Sequence, residues 1–184
     1  MINPHYDHDS AYHSGDAVEQ DVKAWLGIWK SLDEVPPLHR LSRFTDILDV
    51  EKLWDEFVSD YGADWSEHTV KYVYGKGWRE WLAFCDERRV HPACPTPEEV
   101  EEHLAQQRAE VSTNQTLHDT RFRPLFYWWE WMRYHVDYPV KYNPALMAVL
   151  LRGAAYDAWK TRVSDRLWKQ ELREQQKGLE ANAE

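Results

Sequence analysis

The sequence predicts an all-α protein, and three observations support that prediction. Apolar residues recur every three or four positions in several segments, which is the period of an amphipathic helix. Capping residues and prolines stand where these segments begin. No stretch alternates clearly between apolar and polar residues, as a half-buried strand does. With 184 residues, the chain is long enough for one domain with appendages.

An N-terminal segment precedes the predicted core. Residues 1–15 are polar and aperiodic, so we expect a disordered tail. Residues 16–45 predict an amphipathic helix to about residue 33, followed by a proline-containing linker. Trp25, Leu26 and Trp29 lie at helical spacing, and leaving them in water would create an aggregation-prone apolar patch. We therefore expect this stripe to pack on the main bundle or on a second copy of the chain.

The central helices are predicted from their caps and breakers. One covers about residues 46–60, and a second runs from Ser66, which can cap it, to about residue 88. Gly75 and Gly77 lie inside the second helix and can break it. A third begins at Thr96-Pro97-Glu98-Glu99, the strongest helix start in the chain, and ends near residue 109.

Two more helices complete the predicted bundle. Ser112 or Thr113 opens a helix that contains the aromatic run 126–131, and we interpret this run mainly as core. Pro124 must kink or split this helix, because its ring clashes with the preceding turn. After a turn at Asn143-Pro144, a final helix is predicted from about Ala145 to Leu167, before a polar tail.

Composition excludes several classes of protein. The chain is 43% hydrophobic and contains eleven tryptophans, enough for a packed core. Its longest nearly pure apolar run, residues 145–151, is far shorter than the roughly 20 residues of a membrane-spanning helix. Two cysteines provide no disulfide framework. The first residues lack the basic and apolar regions of a signal peptide, so we expect a cytoplasmic protein.

The net charge of −10 is unevenly distributed. Residues 1–63 contain 5 Lys/Arg and 13 Asp/Glu, whereas residues 64–152 contain 11 and 13. Binding to the phosphates of a nucleic acid requires local positive potential. The middle segment is close to neutral and residues 153–184 hold six charges of each sign, so a basic face is possible in the middle segment.

The sequence contains no complete motif for catalysis, a metal or a cofactor. Residues 75–77 (Gly-Lys-Gly) lack the rest of a phosphate-binding loop, and no nucleophile elbow is present. Cys85, His91, Cys94 and His103 are residue types that suit zinc, but their spacing matches no paired zinc motif. We interpret them as buried and loop residues, and we expect neither a metal nor a cofactor.

The order of the predicted helices resembles the core-binding, SAM-like domain of the tyrosine recombinases, the phage integrase family. The resemblance covers about residues 46–150. It implies a compact, SAM-like bundle of four core helices, which the predicted N-terminal helix precedes and a long C-terminal helix and tail follow over residues 151–184. The residues that carry it are Ser66-Glu67-His68-Thr69 before Tyr72 to Phe84, Thr96 to Val100, Ser112 to Thr116 before the aromatic run, and Asn143-Pro144.

In that family, the domain forms one half of a clamp on double-stranded DNA. Lys71, Gly75 and Arg79 share one helix face, and Gly75 leaves room there for a sugar-phosphate strand. We expect the main face to comprise Lys71, Arg79, His118, Arg121 and Arg123, with ordinary solvated positions as the competing interpretation. The full set of candidate DNA-binding residues is Lys71, Gly75, Lys76, Arg79, Thr113, Asn114, Gln115, His118, Arg121, Arg123 and Arg133.

The recombinase catalytic residues are not found. The family's Arg, His-x-x-Arg pair and nucleophilic Tyr lie in a domain of well over a hundred residues, but only about 40 residues follow Asn143-Pro144 and no histidine follows His135. Tyr156 would lack the charges that position a phosphate. We therefore expect a non-catalytic DNA-binding module in recombination, integration or regulation of a mobile element. The alternatives are a fragment of a longer active recombinase, and a protein-interaction adaptor or homo-oligomer that uses the 16–33 helix, the Trp-rich surface or the C-terminal helix.

Overall fold

The computed structural model describes residues 29–161, and this part of the chain is all-α with no β-strand, as predicted. Two π-helical segments, Thr69–Tyr74 and His118–Phe122, lead directly into α-helices. Three short 3-10 turns, at Leu32–Glu34, Pro37–His39 and Leu41–Arg43, precede the first α-helix. The predicted tail 1–15, most of the 16–33 helix and the chain beyond residue 161 lie outside the described residues. The helices are α1 Val50–Asp60, α2 Gly75–Arg88, α3 Pro97–Glu110, α4 Asn114–Leu117, α5 Arg123–Tyr134, α6 Pro144–Val149 and α7, residues 154–161.

Helix α1 begins later than the sequence predicts. Its N-cap is Asp49, whose carboxylate accepts a hydrogen bond from the Lys52 N–H at 3.2 Å. Trp29 is only 3% exposed and packs edge-on against Tyr142, with ring centroids 6.1 Å apart. The predicted burial of Trp29 is thus confirmed, whereas Trp25 and Leu26 lie outside the described residues.

The second predicted helix continues through both of its glycines, and neither of them breaks it. Ser66 accepts the Thr69 N–H at 3.2 Å, as a capping residue does. The Gly75 N–H bonds to the Val70 carbonyl, five residues back, which is the π-helical pattern. Gly77 lies where α2 crosses the second π segment, and a Cβ there would stand 2.3 Å from the Thr120 carbonyl oxygen. Glycine at this position permits the close helix crossing.

The disturbance predicted at Pro124 takes the form of a π segment. Proline has no N–H, so the carbonyl of Thr120, four residues earlier, has no α-helical partner. The backbone nevertheless stays helical from Asn114 to Tyr134, with His118–Phe122 in π geometry just before the proline. The released Thr120 carbonyl is the group that faces Gly77.

Side-chain caps determine the remaining boundaries. The predicted capping box is confirmed, since Thr96 accepts the Glu99 N–H while the Glu99 carboxylate accepts the Thr96 N–H. The prediction of one final helix from Ala145 is wrong, because α6 ends at Val149 and the chain turns through Arg152 at φ 63°. Glu101 of α3 caps the next helix, α7, by accepting the N–H groups of Ala154 and Ala155.

Most of the tryptophans described by the structure belong to the core. Trp81, Trp128 and Trp129 are fully buried, and Trp54 stacks on Trp78 with ring centroids 4.2 Å apart. The indole N–H groups of Trp81 and Trp129 donate to the carbonyls of Pro92 and Ala93, at 3.1 and 3.3 Å. These two hydrogen bonds attach the loop between α2 and α3 to the core.

His103 is a fully buried histidine of α3 whose ring packs against α2. Its ring lies 5.1 Å from Trp81 and 5.2 Å from Phe84, and neither ring nitrogen has a hydrogen-bond partner among the described residues. Burial, together with the nearby Arg121 charge, lowers the pKa of His103 to about 3. The folded protein therefore holds this ring neutral at pH values where the unfolded chain protonates it.

Acid is expected to destabilise the protein through His103. Its pKa falls from an ordinary 6.5 on folding, so protonation of this group does not lower the free energy of unfolding above pH 6.5. Below that value the unfolded chain binds a proton that the folded protein does not, so the free energy of unfolding decreases as the pH falls towards 3. By pH 5 the loss should reach about 2 kcal/mol, at 1.36 kcal/mol per pH unit. Urea unfolding at pH 7.5 and pH 5 measures it in wild type and in His103→Leu, which should lose most of this dependence. The exposed His68 supplies the control, because His68→Ala should keep the full loss; an equal loss in His103→Leu would contradict the assignment.

Candidate nucleic-acid interface

Exposed polar residues form a continuous stripe along the Thr69–Tyr74 segment and the first turns of α2. Positions three and four apart share one face of a helix, and the opposite face carries the buried Tyr74, Trp78 and Trp81. All members of the stripe are exposed except Gly75, which is half-buried. We call this surface the α2 stripe and define it as His68, Lys71, Tyr72, Gly75, Lys76 and Arg79.

The α2 stripe combines cations with an exposed ring. Tyr72 is 54% exposed, its ring lies 5.1 Å from His68, and the Lys71 ammonium lies 5.2 Å from the ring centroid. The gap expected at Gly75 is not empty, because the Arg79 Nη1 lies 3.3 Å from where a Gly75 Cβ would stand. The glycine thus gives the guanidinium a place along the helix backbone.

Lys71, Lys76 and Arg79 have no ion pair with any carboxylate in residues 29–161. Between residues 68 and 79 the sequence contains no Asp or Glu at all. The next acidic residue, Glu80, directs its carboxylate to Arg121. The stripe is therefore a local concentration of positive charge without ion pairs among residues 29–161, and the exposed Glu67 stands immediately before it.

Arg121 is not part of this surface, and the prediction that it belongs to the exposed DNA-binding face is wrong. Its side chain is only 4% exposed. The guanidinium donates to Glu80 at 3.0 Å, to the Gln107 amide oxygen at 2.9 Å and to the Thr120 hydroxyl at 2.7 Å. Arg121 consequently connects α2 and α3 to the second π segment. Its positive charge is paired with the Glu80 carboxylate inside the protein.

The other predicted cations of this region are paired within the domain. Arg123 lies 3.7 Å from an Asp119 oxygen, with its guanidinium 5.5 Å from the Tyr74 ring centroid. Arg133 pairs with Glu130. His118 is buried and its Nδ1 lies 2.9 Å from Asp119. Burial alone would raise the pKa of the Asp119 carboxyl, but hydrogen bonds from Gln115 and His118 hold it below its ordinary value.

The predicted positions at the start of α4 have structural roles. Thr113 is the N-cap and accepts the Thr116 N–H at 3.1 Å. Gln115 is exposed and donates to Asp119 at 2.7 Å, and Asn114 is half-buried. Of the eleven predicted residues, the structure brings Lys71, Gly75, Lys76 and Arg79 together on one exposed face. The other seven lie between Thr113 and Arg133, on α4 and its N-cap, the second π segment and α5.

Sequence reasoning missed His68 and Tyr72 as members of this surface. The sequence does contain a signal for both residues, because they stand at helical spacing from Lys76 and opposite the apolar face. A wide aromatic groove lined by Tyr61, Trp131 and Tyr134 was also missed. That groove joins α5 to the residue following α1, and no local pattern signals such a contact.

Other kinds of site find little support in residues 29–161. This part of the chain has no group of three His, Cys, Asp or Glu side chains placed to hold a metal ion. Burial raises the pKa of both thiols, that of Cys94 to about 12, so neither cysteine is a reactive thiolate at neutral pH. Every helix described here is too short or too polar to cross a lipid bilayer. Compared with protein-family models, with curated proteins and with solved structures, the chain matches none of them.

Proposed function

We propose that this chain is a non-catalytic, cytoplasmic DNA-binding module of the recombinase core-binding type, with a SAM-like core over residues 46–150. It would act in DNA recombination or integration, or in regulating a mobile element. The observation that supports this most is the α2 stripe. Three exposed cations that form no ion pair within residues 29–161 flank an exposed tyrosine there, in a chain whose net charge is −10.

The stripe would bind the backbone of double-stranded DNA. Lys71, Lys76 and Arg79 follow one helix face, so they can contact successive phosphates along a strand. Tyr72 adds an apolar ring with a hydroxyl donor between them. Three phosphate contacts against an acidic background give weak affinity, of micromolar order or poorer, with little sequence preference.

DNA affinity is expected to depend on salt through these cations. Each neutralised phosphate contributes about 0.9 to the slope of log affinity against log salt concentration. Replacing Lys71 and Arg79 together with alanine should therefore flatten the slope by about two units and weaken binding to every duplex alike. Fluorescence anisotropy of a labelled duplex, titrated at several salt concentrations, measures both quantities.

A control variant distinguishes the effect of this surface on DNA affinity from the effect of the protein's net charge. Arg43→Ala combined with Lys141→Ala removes the same two positive charges from elsewhere on the protein, and it should change the slope far less. If the Lys71/Arg79 variant kept the wild-type slope, the α2 stripe would not be the DNA-binding surface. If wild type bound no duplex at the lowest salt, the proposal of a DNA-binding module would fail.

A further inference from the structure

Two cavities share His135, at the end of α5, as a lining residue. Their volumes are about 330 and 590 Å³, and His135 lines both. Such volumes lie within the range of sites that hold a ligand or a side chain of a partner. We call the combined feature the His135 groove; it has an aromatic half with Tyr61, Trp131 and Tyr134 and an acidic half with Glu56, Asp60 and Asp137.

The aromatic half offers ring surfaces to a cation. Tyr134 is 74% exposed and Tyr61 is 43% exposed, and the Trp131 ring lies 5.1 Å from His135. Aromatic faces attract guanidinium groups by both electrostatics and stacking. The protein already uses this chemistry here, because the Arg133 guanidinium lies 4.8 Å over the Tyr134 ring while pairing with Glu130 at 2.5 Å.

The acidic half carries an excess of negative charge. Glu56, Asp60 and Asp137 face a single lysine, Lys52, whose ammonium lies 3.5 Å from Glu56. The hydrogen bond from the Tyr138 hydroxyl lowers the pKa of the Glu56 carboxyl, so this group stays ionised at neutral pH. The Asp137 side chain is 77% exposed, with one oxygen 3.8 Å from His135.

We propose that the His135 groove binds an arginine-containing segment of a partner protein. One guanidinium stacks in the aromatic half beside Tyr134, and a second basic side chain pairs with Asp60 and Asp137. The carboxylates repel the phosphates of a nucleic acid, so the ligand of this groove is not the DNA proposed for the α2 stripe. The net charge of −10 likewise disfavours a second copy of this chain as the occupant.

A peptide pair tests the proposal on the 184-residue chain. The probe is a labelled, glycine-rich peptide with two arginines, and its control carries citrulline, which keeps the shape but not the charge. We expect the arginine peptide to bind at least tenfold more tightly than the citrulline peptide. Tyr134→Ala, at an exposed position, should weaken the arginine peptide about tenfold, a loss typical of a desolvated cation–π contact.

Further variants test the acidic half and the specificity. Asp60→Asn with Asp137→Asn should weaken the arginine peptide and reduce its salt dependence. Leu150→Ala, at an exposed position that lines neither cavity, is the control and should leave binding of the arginine peptide unchanged. Equal binding of the citrulline peptide, or unchanged binding by Tyr134→Ala, would overturn the proposal. So would a dimer in analytical ultracentrifugation that Tyr134→Ala dissociates, because the occupant would then be a second copy.

Discussion

Replacing Gly77 with alanine is expected to lower the free energy of unfolding by about 3 kcal/mol, as overpacking of a tight contact does. The new Cβ would stand 2.3 Å from the Thr120 carbonyl oxygen and 3.4 Å from the Pro124 ring. The carbonyl is backbone and the proline ring is rigid, so neither can turn aside. The two helices must separate, and the core between α2 and α5 loosens with them.

The direction of this change is informative. In an open position of a helix, glycine to alanine raises stability by up to about 1 kcal/mol. Urea unfolding followed by tryptophan fluorescence measures the difference, with Lys76→Ala as the control at the neighbouring exposed position. The control should stay within about 0.5 kcal/mol of wild type. A Gly77→Ala variant as stable as wild type would show that the helices do not cross this closely.

Arg121→Met should be about as damaging, at about 3 kcal/mol. Removing one member of a buried ion pair leaves the other charged and uncompensated. Here the remaining carboxylate is Glu80, whose side chain is 28% exposed, so the loss belongs at the lower end of the usual range for buried pairs. The Gln107 and Thr120 side chains would also lose their donor.

Two comparisons identify the cause of that loss. Adding Glu80→Met to Arg121→Met removes the uncompensated charge, so the double variant should recover part of the lost stability. Arg79→Ala, one residue from Glu80 but exposed, should be nearly neutral for folding. If Arg121→Met unfolded at the same urea concentration as wild type, the buried network would not hold α2, α3 and the second π segment together.

Local signals predict the helix starts well. Thr96 with Glu99, Ser66 and Thr113 each bond the backbone N–H that their sequence position indicates. These caps depend on residues three positions apart, so the sequence contains everything needed to predict them. The burial of Trp81 and Trp129 follows equally from helical spacing.

The errors of prediction arise where distant residues interact. Gly77 could be interpreted only as a helix breaker, because Thr120 approaches it from another helix. The interruption near Arg152 depends on Glu101, which lies about fifty positions earlier and caps α7. The residues next to Arg121 in the sequence resemble those around an exposed cation. Its burial depends on hydrogen bonds to Glu80 and Gln107, which belong to other helices. The family resemblance and helical spacing therefore pointed to Lys71, Lys76 and Arg79, which share an exposed face, but they also included Arg121, which is buried.

The DNA-binding surface can be mapped directly by nuclear magnetic resonance. Labelled wild-type protein is titrated with a short duplex at low salt, and the shift of each backbone amide is followed. The proposal predicts that the largest shifts fall in residues 68–79 and disappear as salt is added, while the amides around Tyr134 stay unchanged. Shifts centred on any other surface, or no shift at the lowest salt, would contradict the assignment of the α2 stripe as a DNA-binding surface.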